Sequence, residues 1–299
     1  MVAEARAFNA ELTRLLAAMP KVHELAPEYT RRARRDGRGI LPPPVFLDNA
    51  RMTDAGGVPV RLFEPADPEG AYLHIHGGGW TLGGADLQDV SLWAIARETR
   101  LTVASVDYRL APEHPYPAGP DDCETAALWF LERFDGRLAI GGESAGAHLA
   151  VVALLRLRDR HGISPRTFAA ANLLFGAYDL TGTPSRHLWG DRELILSSPL
   201  MDWFADCFLP GMPDRKRKQP DISPLYADLR DLPPALFTCG TMDPLLDDSV
   251  FMHARWSAAG NESRLSLWEE GAHAFVAYPL EQARRSLAEQ YAFLGGAAG

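Results

Sequence analysis

The stretch Leu138-Ala-Ile-Gly-Gly-Glu-Ser-Ala-Gly-Ala-His-Leu-Ala150 decides the fold. It opens with an apolar run, Leu138 to Gly141, of the kind buried in a sheet covered on both faces. It closes in a helix that carries Leu149, Val152 and Leu155 and ends near Gly162. Between them stands Gly142-Glu143-Ser144-Ala145-Gly146. So abrupt a turn from strand to helix leaves room only for small neighbours, hence glycine two places before and two after the serine. Ser144 then projects above the sheet, at the positive end of the following helix. A serine N-cap in a glycine-rich turn is the plain alternative, and the strand–turn–helix setting favours a presented hydroxyl.

Outward from this turn, strand and helix patterns alternate. Val58–Phe63, which follows the turn residues Asp54, Gly56 and Gly57, reads as a strand. So do Ala71–Ile75, Leu101–Val106, Ala169–Phe175, Ala235–Cys239 and Leu265–Trp268. Leu87–Thr99 (with Asp86 as N-cap), Asp122–Phe134, Val250–Ala259 and Leu280–Leu294 read as helices. This order predicts an α/β fold, with mostly parallel strands joined by right-handed crossovers. Residues 178–225 hold Trp189, Trp203, Phe204, Phe208 and several prolines but no strand pattern, and read as a helical insertion. Near the N-terminus, Ala7, Phe8, Leu12, Leu15 and Leu16 give residues 4–18 one greasy helical face. Residues 20–47, broken by Pro42, Pro43 and Pro44, read as a connector with helix only before Arg31.

A serine hydroxyl needs a base, and the base needs a carboxylate to fix its tautomer. Of nine histidines, His273 lies in a loop five residues past a predicted strand end, where a sheet presents catalytic groups. Asp243 follows the strand Ala235–Cys239 in the same manner. Asp247 and Asp248 are rivals for that role, but fall where acids cap the next helix. Glu269 and Glu270 neighbour His273 in sequence only. Acyl transfer also needs donors aimed at the developing oxyanion. His76-Gly77-Gly78-Gly79-Trp80 follows the strand Ala71–Ile75, with neither a GxGxxG nor a P-loop pattern. Gly78 and Gly79 are the candidate donors, completed by the N–H of Ala145, and His76 reads as an anchor for the loop.

The composition excludes other classes. Thirty basic against thirty-nine acidic residues give a net charge of -9, which argues against a nucleic-acid partner. No stretch of about 18 apolar residues occurs, so no stable membrane insertion is expected. Charges at Glu4, Arg6, Glu11 and Arg14 break any signal-peptide core, which points to a cytoplasmic protein. Cys123, Cys207 and Cys239 stand far apart and make no CxxC pair. No metal-ligand spacing is evident, and the expected cofactor is none. The run Arg215-Lys216-Arg217-Lys218 reads as a solvated loop.

Five pieces together resemble the hormone-sensitive-lipase-like branch of the α/β-hydrolases. They are HGGGW at 76–80, DYRLAPEHPYPA at 107–118, GESAG at 142–146, DPLLD at 243–247 and HAF at 273–275. The order Ser144, Asp243, His273 is that of the α/β-hydrolases. Glu143 and Ala147 depart from the branch's usual residues, where aspartate or threonine and a third glycine are common. The resemblance implies a serine carboxylesterase for small esters of short or medium acyl chain. It implies one α/β-hydrolase domain over 1–299, with a mostly parallel sheet and a helical cap from about 1–45 and about 178–225. Asp107 and Arg109, with His76, Gly77, Gly142 and Gly146, would support the site, and a homodimer through an edge strand is left open. Trp80, Trp189, Trp203, Phe204 and Phe208 are candidates for lining the substrate pocket. Amidase, lactonase or deacetylase chemistry would use the same groups, whereas a non-catalytic receptor should lack a triad member.

Overall fold

Strands with no exposed position dictate the centre of the molecule. The computed structural model describes residues 1–296. Its strands are β1 (Arg51–Asp54), β2 (Pro59–Phe63), β3 (Gly70–Ile75), β4 (Leu101–Val106), β5 (Arg137–Glu143), β6 (Ala170–Leu174), β7 (Ala235–Met242) and β8 (Ser263–Ala272). They form one sheet in the order β1-β2-β4-β3-β5-β6-β7-β8. β2 runs antiparallel to β1 and β4, and every other pair is parallel. Alternate residues serve opposite faces, as the pleat requires. Ala71, Leu73 and Ile75 of β3 join one apolar cluster, and Tyr72 joins another.

The helices are α1 (Val2–Ala17), α2 (Pro27–Arg35), α3 (Asp89–Thr99), α4 (Ala118–Arg133), α5 (Ala145–His161), α6 (Pro184–His187), α7 (Ser198–Phe208), α8 (Asp214–Arg217), α9 (Leu246–Ala258) and α10 (Glu281–Gly295). α4 and α5 pack in the larger cluster, whereas Leu92 and Ala96 of α3 and Leu294 of α10 cover the opposite face with Tyr72 and Val103. α5 carries the pattern of a fully enclosed helix, with every residue from Ala145 to Leu157 buried.

Several boundaries differ from the sequence reading. α2 runs past Arg31, although none of its residues is buried. Its arginines hold it: Arg31 donates to the carbonyls of Thr81 and Ala111 and pairs with Glu113, and Arg35 pairs with Asp86. Asp86 therefore does not cap α3, whose N-cap is Gln88. α4 begins at Ala118, four residues before the predicted start, and α9 begins at Leu246 rather than Val250. β1, mostly exposed, was not anticipated, and it returns through a turn in which Gly57 N–H donates to Asp54 Oδ1 at 2.9 Å.

Residues 178–225 add no strand to the sheet and contain α6, α7 and α8. They reach the N-terminal segment and the sheet alike. Leu12 of α1 packs with Trp189, Leu194 and Ala272, and Asn9 Nδ2 donates to Glu270 O at 2.8 Å. Buried Arg156 of α5 binds Asp221 through two hydrogen bonds of 2.6 and 2.7 Å, tying the insertion's far end to the core. No helix among the described residues is long and apolar enough to cross a membrane.

Candidate active site

Ser144 joins β5 to α5 with φ 54° and ψ -118°. A side-chain-bearing residue held there costs about 1–3 kcal/mol and needs surroundings that enforce it. Ser144 N–H donates to Leu174 O at 2.9 Å, and Ser144 O accepts from His148 N–H at 3.2 Å. The flanking glycines have one shared cause. A Cβ on Gly142 would lie 2.0 Å from Ile75 O, and one on Gly146 would lie 1.9 Å from the same atom. The end of β3 thus presses on both sides of the turn.

β8 extends to Ala272, so His273 follows the strand directly rather than five residues beyond it. β7 likewise extends to Met242, which pairs with Ala272, so Asp243 and His273 are the next residues on neighbouring strands. His273 Nδ1 lies 2.8 Å from Asp243 Oδ2, and Nε2 lies 3.1 Å from Ser144 Oγ. Leu245 N–H donates to the other carboxylate oxygen at 2.9 Å. Asp243 and His273 are buried, and the imidazole packs edge-on against Phe175 at 4.8 Å.

The rival acids are occupied elsewhere. Asp247 Oδ2 accepts from Ser185 N–H at 2.7 Å. Asp248 accepts from the N–H groups of Tyr178 and Asp179 and from the Thr183 hydroxyl, at 2.6, 2.9 and 2.7 Å. Burial outweighs these donors and lifts the Asp248 carboxyl to about 7. Glu270 pairs with Arg6.

The glycine loop sits beside Ser144. Gly78 and Gly79 adopt φ 117° and 59°, in the left-handed region that favours glycine. Gly78 O accepts from the N–H groups of Thr81 and Leu82 at 3.2 and 2.8 Å, which closes the turn. Among the described residues, the N–H groups of Gly78 and Gly79 have no acceptor. The N–H of Ala145 belongs to the unpaired first turn of α5. His76 is buried, donates from Nδ1 to Gly77 O at 2.8 Å and stacks on Tyr108 at 4.3 Å. The Tyr108 hydroxyl donates to His76 O at 3.0 Å. Asp107 accepts from Ala85 N–H at 3.1 Å, and Arg109 is clamped to Asp122.

The contacts of two residues escaped the sequence reading. Glu143 accepts from Gly77 N–H at 2.9 Å, faces His74 Nε2 at 2.9 Å and binds the Gln88 amide. Burial raises this carboxyl, but His74 and the donors outweigh it and hold it below the usual range. His148, one turn beyond Ser144, accepts from Trp80 Nε1 at 3.1 Å and donates to Ile222 O at 2.8 Å. Burial lowers it to about 4, so it is neutral and links the glycine loop to the insertion. Nothing in the spacing of Glu143 or His148 announces these partners.

Ser144 opens into a cleft with a mostly apolar lining and a few polar groups, the usual character of a small-molecule site. Gly79, Trp80, Leu196, Met201 and Phe204 contribute to its lining. Of the five aromatic candidates, Trp80 and Phe204 line the cleft, while Trp189, Trp203 and Phe208 do not. Phe208 stacks behind Trp80 at 4.8 Å, Trp203 tilts against Phe204 at 5.3 Å, and Trp189 packs among Leu12, Leu194 and Ala272. The basic run forms short α8, where Arg217 pairs with Asp206.

A family model described as an alpha/beta hydrolase fold matches residues 72–277. The chain belongs to the α/β-hydrolase family. Within it the match is to the hormone-sensitive-lipase-like branch. An esterase of the bacterial hormone-sensitive lipase family superposes with a TM-score of 0.85 at 29% identity, covering 100% of this chain and 99% of the other. The hyperthermophilic esterase of the archaeon Pyrobaculum calidifontis gives a TM-score of 0.86 at 29% identity, over 97% of both chains. The carboxylesterase NlhH of Mycobacterium tuberculosis is 34% identical over 266 residues, 83% of this chain and 82% of that protein. These α/β-hydrolases support the expected enzyme class, a carboxylic ester hydrolase.

Proposed function

We propose that the protein is a serine carboxylesterase for small esters, acting through Ser144, His273 and Asp243. The observation that carries this reading is the continuous chain from Ser144 Oγ to His273 Nε2 (3.1 Å) and from His273 Nδ1 to Asp243 Oδ2 (2.8 Å). Ser144 Oγ attacks the acyl carbonyl as its proton passes to His273 Nε2. Asp243 keeps the other proton on Nδ1 and stabilises the imidazolium without itself becoming protonated. The N–H groups of Gly78, Gly79 and Ala145 receive the oxyanion, a contribution of about 10²–10³ in rate per donor. The tetrahedral intermediate collapses, and the alcohol leaves with the proton from Nε2. Water then attacks the acyl-enzyme, gives its proton to His273, and the acid departs as Ser144 Oγ is reprotonated.

The N-terminal segment, about 1–45, and residues 178–225 form the cap of a single catalytic domain. Phe204 of α7 lies so close that a Cβ on Gly79 would meet its ring at 2.3 Å, so the cap bounds the acyl space tightly. This favours short or medium acyl chains. The test is a p-nitrophenyl ester series from acetate to laurate, run with wild type and Ser144→Ala. The expected result is highest kcat/KM at short or medium chains and loss in the alanine variant. No hydrolysis by wild type, or a rate that rises steadily to laurate, refutes the reading.

A further inference from the structure

Arg186 is the only cation among the residues lining the cleft that holds Ser144. Its side chain is 14% exposed, and its hydrogen bond runs from Nη2 to Asp202 Oδ1 at 2.7 Å. Asp202 is 71% exposed, so this is a surface ion pair that exchanges readily. Among the described residues, Nε and Nη1 donate to nothing. Both nitrogens keep some contact with solvent, so an incoming acceptor displaces water from them. The carboxylate in the cleft does not serve. Asp179 Oδ1 accepts from the Thr181 N–H and hydroxyl at 2.9 and 2.6 Å, and Oδ2 accepts from the Tyr226 hydroxyl at 2.7 Å.

The position of Arg186 is fixed by the loop that carries the catalytic acid. The Thr183 hydroxyl donates to Asp248 Oδ2 at 2.7 Å, and Ser185 N–H donates to Asp247 Oδ2 at 2.7 Å. The Ser185 hydroxyl donates to Pro244 O at 2.8 Å, one residue beyond Asp243. The stretch 243–248 thus sets both the imidazole partner and the short helix bearing Arg186. Such second-layer anchoring is what holds a binding group ready for its ligand.

We propose that Arg186 receives a second, uncleaved carboxylate of the substrate, so that esters bearing such a carboxylate, above all half-esters of short dicarboxylic acids, are the preferred class. This rests on the serine-esterase reading above. A guanidinium binds a carboxylate through two parallel N–H···O bonds, and the fork here pairs the second hydrogen of Nη2, whose first goes to Asp202, with the free donor beside it. Trp80, Leu196, Met201 and Phe204 are uncharged, and the one carboxylate of the lining, Asp179, is held by the Thr181 N–H and hydroxyl and by the Tyr226 hydroxyl. The carboxylate sits on either the acyl or the alcohol part, and the contact is the same.

The experiment compares p-nitrophenyl hydrogen glutarate with p-nitrophenyl valerate for the acyl side. For the alcohol side it compares 4-acetoxybenzoate with its methyl ester. Arg186→Gln should lower the charged-to-neutral ratio of kcat/KM about 10- to 100-fold on one side, mainly through KM. Arg186→Lys should regain part of it. Asp202→Asn, which releases the guanidinium, should hold or raise the ratio. Equal loss on charged and neutral esters, or the same fall in Asp202→Asn, overturns the proposal. Should wild type hydrolyse none of the four, the esterase reading fails, and calorimetry decides this inference separately. Monoethyl glutarate should bind Ser144→Ala about 10- to 100-fold more tightly than Ser144→Ala/Arg186→Gln, and equal affinities overturn it.

Discussion

Removing Glu143 strikes the contact between the strand that leads into Ser144 and the glycine loop. In Glu143→Ala three donors lose their acceptor: the buried His74 Nε2, and the half-buried Gly77 N–H and Gln88 amide. The stranded buried group costs about 1–3 kcal/mol, and water replaces the acceptor of the other two at smaller cost, so the loss is about 2–4 kcal/mol. That is a large fraction of the roughly 5–15 kcal/mol that holds a domain together. Glu143→Gln is far milder. Its amide oxygen still accepts from Gly77, and its NH₂ meets His74 Nε2. A neutral His74 then carries its proton on Nδ1 and donates to Ser105 Oγ, 3.0 Å away. Only the charge assistance disappears, about 1–2 kcal/mol. The assay is urea unfolding at several pH values. Because the folded carboxyl is held below its ordinary 4.5, its contribution is present above that value and is lost as pH falls through the lower folded value. The gap between wild type and Glu143→Gln should therefore be full at pH 7 and close in acid. Glu143→Ala within about 1 kcal/mol of wild type, or a gap that stays constant into acid, refutes the reasoning.

Asp243→Asn should reduce kcat about 10⁴-fold with the circular dichroism spectrum unchanged, because His273 loses the partner of Nδ1. Wild-type turnover in that variant removes Asp243 from the mechanism. Asp248→Asn should become more stable relative to wild type as pH rises from 4 to 8. Burial raises the folded carboxyl from 3.8 to about 7, so wild type loses stability across that window, by up to about 4 kcal/mol, and asparagine does not. Parallel stability–pH curves contradict this.

The parts legible in the sequence are those where one local pattern has one physical outcome. The run from Leu138 to Ala150 combines an apolar strand, a cramped turn and a buried helix, and no other arrangement satisfies all three. The loop positions of Asp243 and His273 were legible from the strands before them, although their distance from those strands was not. β8 continues through Glu269 and Glu270 because Ala272 pairs with Met242 of β7 beyond an irregularity in the register, and charged residues hide that continuation from a hydrophobic pattern. α2 was invisible past Arg31 for a related reason. It has no apolar face and depends on arginine contacts with residues 50 to 82 positions away. The aromatics of 178–225 announced burial but not direction, so Trp189 and Phe208 pack behind the cleft wall rather than in it. Arg186 gave no signal, since a lone arginine in a loop acquires meaning only from the cleft around it.

Covalent trapping at Ser144 tests the account most directly. The protein is treated with an organophosphate ester, digested, and the modified peptide is identified by mass. The arrangement of Ser144, His273 and Asp243 predicts one stoichiometric adduct on Ser144, with its rate of formation sharply reduced in His273→Ala. An adduct on another residue, or a Ser144 adduct formed equally fast without His273, would contradict it.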